Sequence, residues 1–86
     1  MIKFTPLHKK ILSTLVGRDY ESCGIRMMIY GDIIRSSLNY ELFTQRLNEL
    51  VENGLVIYND KTFNYRLADP VEIIRFRKSK NKTNDD

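Results

Sequence analysis

Residues 39–58, NYELFTQRLNELVENGLVIY, carry the clearest structural signal in the chain. Apolar side chains recur there with the period of about 3.6 residues that is typical of an α-helix with one buried face. These apolar residues are Leu42, Phe43, Leu47, Leu50 and Val51. Asn53 and Gly54 predict the end of the helix, because glycine readily adopts the left-handed conformation that closes a last turn. Residues 55–58 are rich in strand-forming side chains, so the helix is predicted to lead directly into a β-strand.

A β-hairpin and a short helix are predicted on the C-terminal side of this stretch. Residues 59–61 form a turn, and residues 62–67 alternate polar and apolar side chains as a half-buried strand does, so the hairpin spans residues 55–67. Asp69 and Pro70 then begin a helix that runs from residue 71 to about residue 78. Because residues 78–86 contain no apolar side chain, we expect one domain over residues 1–77 and a disordered basic and polar tail over residues 78–86.

The N-terminal side is predicted to be mostly helical. Thr5 and Pro6 are typical of a helix start, and apolar side chains at helical spacing predict a first helix over about residues 6–16. Residues 18–24 are polar and predict a loop. The apolar run 25–30 has no clear period, so it fits either a short strand or the start of a buried helix. A second helix is predicted over about residues 29–36, followed by a turn at residues 37–39.

The order of these predicted elements resembles that of the winged helix-turn-helix family. The resemblance rests on residues 31–43 as the helix-turn-helix, on residues 46–56 as the passage from recognition helix to wing, and on the hairpin as the wing. It covers about residues 6–67. It implies an α+β fold with three helices, a β-hairpin wing and a short C-terminal helix. It also implies DNA binding, with the third helix entering the major groove.

The composition predicts a soluble globular protein and provides little material for catalysis. The chain has 86 residues, of which 42% are hydrophobic, and no apolar run approaches the roughly 20 residues of a membrane helix. Cys23 is the single cysteine, so neither an intramolecular disulfide nor a cysteine zinc site is expected. His8 lies on the apolar side of the first helix, which favours a partly buried structural role. We therefore expect a cytoplasmic protein that is not an enzyme and has no secretory signal, no membrane partner, no cofactor, no metal and no small-molecule ligand.

The charges are distributed unevenly along the chain. The net charge is +3, but residues 1–18 carry +4, residues 19–74 carry −4 and residues 75–82 carry +5. Two basic ends suit a polyanionic partner, whereas the acidic centre does not.

The resemblance to winged helices assigns the DNA contacts to polar and basic residues. Gln45 and Asn48 of the third helix are candidate readers of adenine edges, Thr44 is a candidate for a phosphate or a thymine methyl, and Lys61 lies at the wing tip. The further candidates are Ser36, Ser37, Asn39, Tyr40, Lys9, Lys10, Arg75, Arg77 and Lys78. The expected function is that of a small transcriptional regulator that occupies an operator or promoter in double-stranded DNA. A homodimer is expected to form through the first helix or through residues 71–78.

Three carboxylates on the predicted outward face of the third helix support a different partner. Glu41, Glu49 and Glu52 face outward with no base among them, and carboxylates repel a phosphate-lined groove. A protein-binding winged helix can instead use this acidic face, or an apolar patch near Met28 and Tyr30, to bind a host or regulatory protein. An inhibitor or adaptor encoded by a virus or a mobile element fits this alternative, and the sequence leaves both functions open.

Overall fold

The computed structural model describes residues 3–84, with side chains described for residues 3–79. The described chain is a compact mixed α+β protein, which confirms the predicted class. Its helices are α1 (Pro6–Thr14), α2 (Ser22–Tyr30), α3 (Ile33–Leu38), α4 (Tyr40–Glu52) and α5 (Pro70–Asn84). Its strands are β1 (Tyr20–Glu21), β2 (Val56–Asn59) and β3 (Asn64–Leu67). The third helix of the sequence prediction corresponds to α4.

A capping box begins α1 at the predicted place. The Thr5 hydroxyl accepts the backbone N–H of His8 at 3.4 Å, and the backbone N–H of Thr5 donates to His8 Nδ1 at 2.8 Å. This exchange gives partners to two backbone N–H groups that a helix start otherwise leaves unpaired. Pro6 suits the first helical position because proline has no N–H, and an N–H at this position would have no partner within the helix. The helix ends at Thr14, two residues earlier than predicted.

The segment between α1 and α4 differs most from the predictions. Residues 20–21 form β1 where a loop was predicted, and the ambiguous run 25–30 is helical because it belongs to α2. The single predicted helix over residues 29–36 is wrong. Gly31 ends α2 in the left-handed conformation, with φ of +82°, and the Asp32 carboxylate caps α3 by accepting the backbone N–H of Arg35 at 2.7 Å. The predicted turn at residues 37–39 is reduced to Asn39.

The sheet is antiparallel, and β3 lies between β1 and β2. The predicted hairpin is confirmed as β2 and β3, with Val56 opposite Leu67 and Tyr58 opposite Tyr65. Tyr20 of β1 is paired with Tyr65 from the other side. The register therefore places three tyrosines in one row across the sheet.

The hydrophobic core lies between α1, α2, α4 and β2. Its fully buried members are Ile11, Leu15, Ile25, Phe43, Leu47, Leu50 and Val56. The inward orientation predicted along α4 is confirmed for Phe43, Leu47 and Leu50, and Val51 is half-buried. The prediction is wrong for Leu42, whose side chain is 45% exposed. Successive helical residues are about 100° apart, so Leu42 lies at the edge of the buried arc.

An ion pair joins α5 to the hairpin. Arg66 Nη2 lies 2.7 Å from Glu72 Oε2, and this hydrogen bond is the main reason why the pKa of Glu72 is lowered to about 2. The helix continues to Asn84, so the tail predicted to be disordered from residue 78 is helical as far as Asn84, and residues 85–86 lie outside the described chain. No helix in the described range is both long and apolar enough to span a membrane.

Candidate nucleic-acid interface

A polar stripe runs along the solvent side of α4. Glu41, Gln45, Asn48 and Glu52 are all exposed and succeed one another at the three- and four-residue spacing that places side chains on one helix face. The outward orientation predicted for Gln45 and Asn48 is therefore confirmed. Thr44 is half-buried beside the stripe.

The start of α4 is held by Arg26, a residue of α2 that the sequence analysis did not select. Its guanidinium lies 4.7 Å from the centroid of the Tyr40 ring, and its Nε donates to the hydroxyl of Ser36 at 2.5 Å. Ser36 is only 1% exposed, so it cannot contact a phosphate as predicted. Tyr40 remains 49% exposed and accessible at the beginning of the stripe.

The two other predicted contacts at the junction of α3 and α4 differ from each other. Asn39 is half-buried and donates its side-chain amide to the backbone carbonyl of Arg35 at 2.8 Å, a carbonyl that also accepts the backbone N–H of Asn39 at 3.1 Å. Ser37 is exposed and can reach a ligand. Of the three polar side chains predicted to contact DNA here, only Ser37 is both exposed and free of a side-chain hydrogen bond within residues 3–79.

The hairpin lies beside the first turn of α4. Tyr58 and Tyr65 lie opposite each other on β2 and β3, with ring centroids 4.7 Å apart. Burial is the main reason why the pKa of Tyr65 is raised, and the nearby hydroxyls of Tyr58 and Tyr40 raise it further. Lys61 is exposed in the turn, where its backbone N–H donates to Asn59 Oδ1 at 2.9 Å. Lys61 therefore lies in the turn of the hairpin, as predicted.

Glu49 differs from the other carboxylates of α4 because two side chains bind it. Its Oε1 lies 2.8 Å from His8 Nε2 and 3.0 Å from Arg46 Nη1. Because the backbone N–H of Thr5 donates to Nδ1 of His8, the neutral ring carries its proton on Nε2 and donates it to Glu49. His8 is 1% exposed, which agrees with the structural role predicted for it. Glu49 is therefore half-buried and paired within the protein, and Glu41 and Glu52 are the exposed carboxylates of the predicted acidic face.

The contacts of Glu49 predict a specific dependence of stability on pH. The hydrogen bond from His8 is the largest cause and lowers the pKa of Glu49; burial is the next largest and raises it, and the hydrogen bond and charge of Arg46 lower it further, so the net shift is downward. A carboxyl with a lowered folded-state pKa contributes stability above its unfolded value of about 4.3, and this contribution is lost as the pH falls through the folded-state pKa. We expect Glu49→Gln to lower the free energy of unfolding most above about pH 5, with the difference from the wild type shrinking towards pH 2.

Urea unfolding at a series of pH values, followed by circular dichroism, measures this difference. Glu41→Gln is the matched control, since Glu41 is an exposed carboxylate on the same helix. A difference between wild type and Glu49→Gln that stays constant from pH 7 to about pH 2 would contradict the assignment of this contribution to the ionised Glu49.

A basic groove lies between α1, α2 and α4. One part is lined by Leu7, Lys10, Ile29, Tyr30, Leu42 and Arg46, and the adjoining part by Lys9, Lys10, Ser13, Thr14, Met28 and Ile29. Lys9 and Lys10 are exposed on α1, and no acidic residue lines either part. The groove therefore brings Lys10, one of the predicted DNA contacts, beside Leu42 and Arg46 of α4, with Lys9 in the adjoining part.

The basic residues of α5 lie elsewhere. Phe76 of α5 packs against Gly54, directly after the C-terminal end of α4. Arg75, Arg77 and Lys78 are exposed around this point. They belong to the helix that contacts the C-terminal end of α4, whereas Tyr40 lies at its N-terminal end, so the predicted DNA contacts do not form one cluster.

Sequence reasoning missed Arg26 because it depends on the assignment of α2. The run 25–30 was ambiguous between strand and helix, and only a helix directs Arg26 towards α3 and α4. A lone base within an apolar run was the available signal.

Comparisons with known proteins add no further information about this surface. No protein-family model matches the chain, and searches of curated proteins and of solved structures give no significant match. Within the described residues, no three histidine, cysteine or acidic side chains come together as a metal site would require.

Proposed function

We propose that this protein is a winged-helix module that binds double-stranded DNA through α4 and the hairpin. In this proposal α4 lies in the major groove, the hairpin is the wing, and the bases of α1 and α5 contact phosphates on either side. The order of helices and the sheet order β1-β3-β2 are compatible with this family. The proposed role is regulation of transcription by occupancy of an operator or promoter, with no catalytic step.

The observation that carries the proposal is the exposed pair Gln45 and Asn48 at the centre of the α4 stripe. Amide side chains can make two hydrogen bonds to the edge of adenine, which is the standard way in which these residue types read a base. Both side chains are exposed on the same helix face, and neither makes a side-chain hydrogen bond within residues 3–79. Lys61 in the hairpin turn and Lys9 and Lys10 on α1 are exposed, and the proposal assigns them to phosphate contacts.

The contacts of Glu49 remove part of the electrostatic objection to DNA binding. His8 and Arg46 bind Glu49, which lies beside the stripe. The carboxylates of the stripe itself are Glu41 and Glu52, one at each end. The central two turns of the stripe therefore carry amides and no exposed carboxylate. Glu41 in the first turn also stabilises the positive end of the helix dipole, which gives it a structural reason to be there.

Fluorescence anisotropy with labelled duplex DNA tests the proposal. We expect binding to random duplexes that weakens steeply between about 50 and 300 mM salt, because bound phosphates release counterions. Selection from a random duplex pool then identifies a preferred site. Absence of binding at the lowest salt would contradict the proposal.

Variants separate base reading from phosphate contact. On the selected site, Gln45→Ala and Asn48→Ala are each expected to weaken binding by about 5- to 150-fold and to relax the sequence preference. Lys61→Ala is expected to weaken binding to all sequences alike and to reduce the salt slope by about one. Lys3→Ala is the control for the loss of one positive charge outside the proposed contacts.

The remaining carboxylates of the stripe distinguish DNA binding from the acidic-face alternative. Glu41→Gln with Glu52→Gln is expected to tighten binding to DNA, since two charges that repel phosphates are removed. If this double variant instead loses function in cells while Gln45→Ala and Asn48→Ala retain it, α4 binds a protein and the DNA proposal fails.

A further inference from the structure

The apolar residues of α3 face outward. Ile33 is 71% exposed, Ile34 is 70% exposed and Leu38 is 81% exposed, so half of this six-residue helix consists of large apolar side chains in contact with solvent. The buried residue of the helix is Ser36. We call the surface formed by Ile33, Ile34 and Leu38 the α3 patch.

Polar contacts hold α3 on the protein. Asp32 caps its N-terminus, the Arg26 side chain donates to Ser36, and the Asn39 amide donates to the carbonyl of Arg35. The fold therefore does not require apolar residues at the three exposed positions, and the proposed DNA contacts do not use them. Large apolar surfaces that are left in water by the fold commonly mark sites of association.

We infer that the α3 patch is the contact surface of a symmetric homodimer, in which α3 packs antiparallel against α3 of a second copy. In a two-fold contact the same patch occurs on both sides and must complement itself. Ile34 and Leu38 are four residues apart on one helix face, so an antiparallel pair places Ile34 of each copy against Leu38 of the other. Ile33 lies at the border of this contact.

Charge and area both fit a second copy of the chain. The charged residues of the segment 32–38 are Asp32 and Arg35, which form an ion pair at 3.5 Å, so this segment brings no excess charge of either sign to a contact between two copies. Three side chains with these exposures present on the order of 300 Å² of apolar surface. A standard interface takes about 800 Å² from each partner, of which slightly more than half is non-polar. The patch thus supplies most of the non-polar part of a small interface, for which we expect a dissociation constant of about 1–100 µM.

Sedimentation velocity of the full chain without DNA tests this inference independently of the proposed function. Between about 5 and 500 µM, we expect the wild type to pass from monomer to dimer. Ile34→Glu and Leu38→Glu are each expected to raise the dissociation constant at least tenfold, because a two-fold interface contains every substitution twice and buries the new carboxylate against an apolar side chain. Both residues are exposed in the monomer, so the variants retain the fold, which circular dichroism checks.

Two control variants locate the interface. Val16→Glu, just after α1, and Ile74→Glu, on α5, make the same kind of substitution at residues that are 68% and 53% exposed. These positions also probe the dimer surfaces expected from the sequence. A wild type that stays monomeric to about 500 µM, or a dimer that only Val16→Glu or Ile74→Glu dissociates, would overturn the inference.

Disulfide cross-linking tests the antiparallel geometry directly. Cys23 is exposed and is first replaced by serine. In that background, a mixture of Ile34→Cys and Leu38→Cys proteins is expected to form mixed disulfide dimers faster than either protein alone, since facing residues approach within the Cα separation that a disulfide spans. Equal rates for the mixture and the separate proteins would exclude this pairing.

Discussion

Replacing Phe43 by alanine is expected to lower the free energy of unfolding by about 3–5 kcal/mol. The Phe43 ring is completely buried at the centre of the core. Truncation removes the largest fully buried side chain of the described residues and leaves a cavity that neighbouring helices cannot close without moving. Urea unfolding monitored by circular dichroism measures the loss.

The neighbouring residue provides the matched control for this prediction. Leu42→Ala is expected to cost about 1 kcal/mol or less, because Leu42 is 45% exposed and loses little buried area on truncation. The helical period alone assigns both residues to the buried face. Equal losses for Phe43→Ala and Leu42→Ala would contradict the orientation of α4.

Replacing Gly54 by alanine is expected to cost about 2–4 kcal/mol from two separate causes. Gly54 has φ of +75°, a conformation that strains any residue with a Cβ atom. A Cβ atom at this position would also lie 2.5 Å from Cγ of the Phe76 ring, so α5 must shift away from the end of α4. Urea unfolding measures the total loss in the free energy of unfolding. Protection of the α5 amides from hydrogen exchange shows whether that helix has moved.

Two variants separate these causes. Gly17→Ala introduces a side chain at φ of +74° with no atom within 4 Å of the new Cβ, so it is expected to show the conformational cost alone, about 1–2 kcal/mol. In a Phe76→Ala background, Gly54→Ala is expected to cost no more than Gly17→Ala. If Gly54→Ala and Gly17→Ala cost the same in the wild-type background, the contact between α5 and Gly54 does not contribute.

The elements with strong local signals could be predicted from the sequence. The period of α4, the glycine after it, the hairpin and the Thr5-Pro6 start of α1 each depend on residues close together in the chain. The segment 20–38 could not be predicted, since β1 consists of two residues that become a strand only by pairing with β3. The break at Gly31 and Asp32 also competes with apolar residues on both sides that favour one continuous helix.

Some features of the candidate site could likewise be predicted from local patterns in the sequence, and others depend on tertiary contacts. The exposure of Gln45 and Asn48 follows from the helical period of α4, and the exposure of Lys61 follows from the hairpin turn. The burial of Ser36 and the contacts of Glu49 do not follow from a local pattern. Arg26 lies ten residues before Ser36, and His8 lies 41 residues before Glu49. The acidic face that favoured a protein partner was reduced by a histidine on another helix.

Local patterns in the chain therefore establish the α+β class, the long amphipathic helix and the amide pair at its centre. They do so because hydrophobic period, caps and turns act over a few residues. The packing of α1 against α4 and of α2 against α3 establishes which polar groups remain available and which apolar ones stay in water. Burial and hydrogen bonding depend on neighbours in space, so Glu49 is removed from the acidic face and the α3 patch is left exposed by contacts that no local pattern contains.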